Sequence, residues 1–240
     1  MRARPSFSGR GDQNLGEHTT RFAPALIAAG LLFGLATASS QTPSANNEKL
    51  INENLLVALP DGYKIDFQQR TGNMLISEMV PVAQTVHDWT EMVTVQVFHD
   101  LKVTPDQFKA RIDQQGPTAC PGIESHPIAQ GDENGYPYLV WLQSCPLNKV
   151  TGKPEITWFK AIAGNDSFYV VQLAFKAWPA KDQITSWMQY LGRVRVCDSR
   201  LPERACPGTS GSAPATRPKV SVPVSAAAAA VSAAAAAAHK

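Results

Sequence analysis

What the sequence lacks narrows its chemistry before any element is placed. There is no Gly-x-Ser-x-Gly elbow to present a nucleophilic serine, no Gly-rich phosphate loop, no Cys-x-x-Cys pair with zinc or redox spacing and no paired catalytic carboxylates. An excess of either charge is also missing, with 22 Lys and Arg against 20 Asp and Glu. Arg2, Arg4, Arg10 and Arg21, with Asp12 and Glu17, all precede residue 39, which leaves 18 of each sign in the rest. A neutral body has no basic footprint for phosphate, so nucleic acid is excluded as a partner and adhesion to anionic lipid is disfavoured. A partner is expected to be held by shape and apolar contact. No apolar run reaches the roughly 20 residues that a membrane-spanning helix needs.

The longest apolar run is Ala25 to Ala36, behind the four arginines and ending in Ala36-Thr37-Ala38. A short apolar stretch with basic residues before it and a small-x-small close is a secretion signal, with cleavage expected after Ala38. Residues 1–38 are thus a leader, 39–48 a small, polar linker, 49–206 one domain, and 207–240 a tail rich in Ala, Pro and Ser. Ala226 to Ala238 favours helix yet is near the length at which isolated helices are marginal in water. All four cysteines, Cys120, Cys145, Cys197 and Cys206, fall in the exported part. An even count outside the cytosol implies two disulfides. Of the three connectivities, pairing of neighbouring segments favours Cys120 with Cys145 and Cys197 with Cys206.

The body is organised around Glu155 to Ala163 and Ser167 to Lys176, two period-2 segments joined by Gly164-Asn165-Asp166 and so a hairpin. A short apolar segment, Leu55 to Leu59, comes first, then strands at Tyr63 to Arg70, Met74 to Val82 and Met92 to His99. A second hairpin pairs Ile123 to Gln130 with Tyr136 to Cys145, and Val194 to Cys197 closes the set. Thr104-Pro105-Asp106-Gln107 reads as a capping box that starts a helix, which Gly116-Pro117 should end. Ile184, Trp187, Met188 and Leu191 recur at helical spacing behind Trp178-Pro179, with Gly192 as the expected stop. Two amphipathic helices on a largely antiparallel sheet of seven or eight strands make an α+β domain.

Candidate chemistry is sparse. His87-Asp88 and His99-Asp100 set an imidazole beside a carboxylate, but neighbours on a strand point to opposite faces, so neither histidine is oriented by its own aspartate. His126, before Pro127, reads as strand near a turn. Met74, Met79 and Met92 with His87 and His99 are soft or borderline ligands for copper, yet no pair shows ligand spacing on one face. No metal and no cofactor is expected. Trp141, Trp158, Tyr169 and Trp187, with Phe159, Trp178 and Tyr190, are the candidates for an apolar ligand cleft between the sheet and the last helix.

The order of meander, capped helix, long hairpins and closing amphipathic helix resembles the α/β/α sandwich of the PsbP, Mog1 and DcrB-like group. The segment from Met79-Val80-Pro81 through Trp89-Thr90-Glu91-Met92-Val93-Thr94 resembles stretches of secreted proteobacterial proteins. The likeness spans about Lys49 to Cys197 and is one of layout, so no functional residue is carried over, and the two disulfides depart from the group's pattern. It implies an accessory or binding role in place of catalysis. The expectation is a periplasmic or secreted protein of the Gram-negative envelope, binding an envelope protein or a small ligand. The alternatives are a periplasmic hydrolase that uses His87 or His99, and a wall-associated structural protein that uses the tail.

Overall fold

The computed structural model describes residues 50–207. The leader, the linker with Lys49 and the tail from residue 208 lie outside the described residues. Within the domain no helix is long and apolar enough to cross a membrane.

Nine strands and two helices follow one another: β1 (Glu53–Leu56), β2 (Tyr63–Thr71), β3 (Met74–Pro81), β4 (Glu91–His99), α1 (Pro105–Ala119), β5 (Glu124–Glu133), β6 (Tyr136–Asn148), β7 (Lys153–Ala163), β8 (Ser167–Phe175), α2 (Lys181–Arg193) and β9 (Arg195–Asp198). Seven strands form one antiparallel sheet in the order β2-β3-β4-β8-β7-β6-β5. The fold is α+β, with one helix on each face of this sheet. The first and last strands do not join it. They pair with each other, Glu53 opposite Asp198 and Leu56 opposite Arg195, as a separate two-stranded ribbon.

The central hairpin is as the alternation requires, and in β7 every residue from Ile156 to Ile162 is buried. A strand covered on both faces has no solvent side, which is why apolar groups occupy both of its phases. One phase, Ile156, Trp158 and Ile162 with Tyr169, Val171 and Leu173 of β8, packs under Ile184, Met188 and Leu191 of α2. The other, Phe159 and Ala161 with Phe168 and Val170, packs with Leu139 and Trp141 of β6 under Phe108 of α1.

Both helices overrun their expected ends. The capping box of α1 is formed, with Thr104 Oγ1 accepting from the Gln107 N–H at 3.2 Å and Gln107 Oε1 from the Thr104 N–H at 2.9 Å. Pro117, however, sits inside the helix. A proline in the last turn removes a single hydrogen bond. The Cys120 N–H to Gly116 O bond at 2.9 Å holds that turn, and the disulfide from Cys120 to Cys145 ties it to β6. In α2, Gly192 does not stop the helix, which runs on to Arg193; Val194 N–H and the Lys160 ammonium both donate to the Leu191 carbonyl just before the glycine.

The second disulfide joins Cys197 on β9 to Cys206, where the chain leaves the domain after the short turn Pro202–Arg204. In the chain-entropy account, loops of these two lengths contribute about 3 kcal/mol each.

Candidate functional site

The aromatic residues expected to line one cleft are divided between the two faces of the sheet. Trp158 and Tyr169 are core beneath α2, with Trp187 packed against them, edge-on to Phe175, Tyr190 and Tyr63 at ring separations of 5.3 to 6.2 Å. Trp141 is on the opposite face, stacked on Phe159 at 4.6 Å and 3°. A one-residue step along a strand changes face, so these four side chains do not meet in one cleft.

The open hollow lies instead beside α1. That helix covers β6 and β7 and leaves its own face of β4 and β8 partly bare, which makes a groove of about 540 Å³. Gln96 and Phe98 of β4, Gln172 of β8 and Phe159 of β7 form the floor, and Phe108, Arg111, Ile112 and Gln115 of α1 form the wall. The wall residues recur at i, i+3, i+4 and i+7, the spacing of one helix face. Phe98 and Leu101 also line a second hollow of about 340 Å³ at the end of β4, so the two are neighbours. Across the floor, Gln172 Nε2 donates to Gln96 Oε1 at 2.8 Å. Sequence reasoning passed over this pair. The available signal was a glutamine at the same phase of two strands rich in apolar residues.

His99 lines the second hollow, and its Nδ1 is 3.0 Å from Ser167 Oγ. The two residues are direct register partners of β4 and β8. Ser167 is only 3% exposed. A serine hydroxyl bonded to an imidazole is the pairing that a nucleophile needs, but burial of Ser167 leaves little approach for a substrate carbonyl. His87 and Asp88 are exposed in the loop before β4, and His126 stands 3.4 Å from Glu124. Met74 lines the second hollow, Met79 is in the α2-side core, and Met92 packs with Val80 and Trp89. Among the described residues no three His, Cys, Asp or Glu side chains are grouped as a metal ion would need.

Two polar clusters brace the sheet away from the groove. Lys160, 1% exposed in the middle of β7, donates to Glu133 Oε2 at 2.5 Å, to Val194 O at 2.6 Å and to Leu191 O at 3.1 Å. All three ammonium protons are used. At the hairpin turn, the Glu53 carboxylate accepts from the backbone N–H groups of Asn165, Asp166 and Ser167 at 2.6, 3.0 and 3.2 Å, and from Tyr169 Oη at 3.1 Å. Beside it Arg200 bonds both the buried Asp198 and Asp166.

The carboxyl groups predict the response to acid. Asp198 is held below the usual range by its hydrogen bonds from Arg200, and Asp66 by Lys64 and the Val86 N–H. For Asp113 burial pushes upward, but bonds from Lys109, Ser125 and Gln143 outweigh it. Burial raises Glu78, and it raises Glu155 against the bonds from Asn148 and Thr157. A lowered group stabilises the fold above its unfolded value and loses that contribution as pH falls through its folded one; a raised group does the reverse. The melting temperature should therefore hold or rise slightly as pH approaches the ordinary glutamate value of 4.5, then fall steeply below the ordinary aspartate value of 3.8. Near-ultraviolet circular dichroism at constant ionic strength reads this, and a steady decline beginning near neutrality would contradict it.

The whole is a three-layer α+β sandwich with an open groove on its α1 face. No family model matches the chain, and no curated protein matches it. Among solved structures it is similar to the Saccharomyces cerevisiae Ran-binding protein Mog1p, at 10% identity and a TM-score of 0.35 over 59% of this chain and 85% of that one. It is also similar to CyanoP, the PsbP of Synechocystis sp. PCC 6803, at 12% identity and 0.33 over 60% and 91%. These neighbours belong to the group whose layout the sequence resembles; at such values the likeness is of layout, and no role passes from them to this chain.

Proposed function

We propose that the chain is an exported accessory protein of the Gram-negative envelope that binds another component by contact, through the groove beside α1, and performs no bond-breaking step. The groove carries this reading: a half-open hollow with phenyl rings, a glutamine pair and an arginine at its rim is built to hold a partner. Export is supported by the leader pattern in residues 1–38 and by the two disulfides, which do not persist in a reducing cytosol.

A benzophenone amino acid placed at Gln115 in cells should give a discrete cross-linked product on illumination, while the same group at Lys181 on α2 should not. Equal products from both positions, or none from Gln115, would remove the groove as the contact surface. A non-reducing mass map of protein recovered from its native compartment should show both disulfides, and four free thiols there would refute export.

The contact between His99 and Ser167 keeps a hydrolase as the second reading. A fluorophosphonate probe should leave Ser167 unlabelled, and labelling abolished by His99→Ala would replace the accessory reading with an enzyme.

A further inference from the structure

Resting on the contact reading above, we propose that the occupant of the groove is an extended peptide segment in which an apolar side chain stands next to a carboxylate. The glutamine pair sets the backbone requirement. A primary amide has two N–H donors and a carbonyl with two lone pairs. With Gln172 Nε2 given to Gln96 Oε1, the pair still offers the Gln96 amide N–H groups and the Gln172 carbonyl oxygen, and both side chains are half-exposed. Turning both amides over exchanges the two roles and leaves the same offer. A donor and an acceptor side by side complement the C=O and N–H of one extended residue, which point to the same side of the strand. A helical peptide has already used those groups internally, whereas an extended one presents them.

The rings of Phe98, Phe108 and Phe159 border the amides, so the neighbouring side chain of the peptide must be apolar. Arg111 supplies the charge requirement. It is exposed on the groove side of α1 and has no ion-pair partner among the described residues; Asp113, two positions on, faces away from it and is bonded to Lys109 at 2.5 Å and to Gln143 at 2.9 Å. A guanidinium free to present its fork selects a carboxylate. One arginine at the rim is also too little charge for a phosphate backbone.

The test titrates the full-length 15N-labelled chain into the millimolar range with a capped octapeptide of Gly and Ser that carries a central Leu-Asp pair. Comparators carry Leu-Asn or Ser-Asp, and chitotriose stands for a sugar occupant. The side-chain amide signals of Gln96 and Gln172 should shift with the Leu-Asp peptide, and each comparator peptide should bind about tenfold more weakly, a loss of one good interaction. Arg111→Gln should reduce the Leu-Asp peptide to the level of Leu-Asn and leave Leu-Asn unchanged. The double variant Gln96→Leu, Gln172→Leu should keep its melting temperature and lose binding of every peptide.

Absence of shifts at those amides, equal binding of Leu-Asp and Leu-Asn, or stronger shifts with chitotriose would each overturn the peptide. If Gln115 cross-links a partner while the peptides fail, the contact reading stands and this occupant falls. Cross-links from α2 alone remove both.

Discussion

Replacement of Lys160 by methionine should lower the unfolding free energy by about 3 to 5 kcal/mol, the usual cost of stranding one member of a buried ion pair. The side chains of Lys160 and Glu133 are 0% and 6% exposed, and the ammonium also bonds the carbonyls of Leu191 and Val194. The substitution therefore takes this donor from a buried carboxylate and from two helix-end carbonyls, of which Leu191 keeps the Val194 N–H. Burial holds the Lys160 ammonium below its ordinary value while Glu133 pulls it back up, which marks a charge kept by its partners and not by solvent. Adding Glu133→Leu removes the stranded charge and should recover most of the loss, though not all, since the two carbonyls still lack the ammonium bonds. Denaturant unfolding of both variants reads the difference. A single-variant loss under about 1 kcal/mol would mean that the ammonium is solvated.

The second large effect is expected at the turn between β7 and β8. Glu53→Ala takes one acceptor from three backbone N–H groups and from the Tyr169 hydroxyl, at a cost of about 2 kcal/mol once partial exposure is allowed for. Gly164→Ala should be comparably damaging by a different route. A Cβ at residue 164 would overlap Glu53 Oε1 and stand 2.7 Å from the Ser167 carbonyl oxygen. The two changes share that contact, so the double variant should be less destabilised than the sum, as residues in direct contact are. Strict additivity in thermal unfolding would show that Glu53 does not hold the turn.

These two clusters also mark where sequence reading stops. The β7 and β8 hairpin was legible because its alternation and its Gly-Asn-Asp break lie within a dozen residues, and α1 because its capping box is four residues long. The disulfide partners are near one another in the chain and on neighbouring elements. Lys160 stood out only as a cation inside an apolar strand, and nothing local pointed 27 residues back to Glu133. Glu53 and its clasp are 112 to 116 residues apart. Helix ends were misplaced for the same reason, since Gly116-Pro117 and Gly192 are stop signals in isolation, and tertiary bonds override them. The groove was missed because the tryptophans drew the reading. Large aromatic residues in a domain of this size are chiefly interior, while the open surface is lined by glutamines that periodicity treats as neutral.

The ribbon of β1 and β9 has a consequence for how this domain can be handled. Asn52 and Ser199 are joined by two hydrogen bonds, 2.8 Å from the Asn52 N–H to Ser199 Oγ and 3.0 Å from the Ser199 N–H to Asn52 O. The polypeptide therefore enters at Asn52 about one strand spacing, roughly 5 Å, from Ser199, and the disulfide from Cys197 to Cys206 brings its exit back to the same ribbon. A few added residues could weld entry and exit into a circle and new termini could be cut at the exposed turn around Val150, so that the order of synthesis is changed while every β7 and β8 contact is kept.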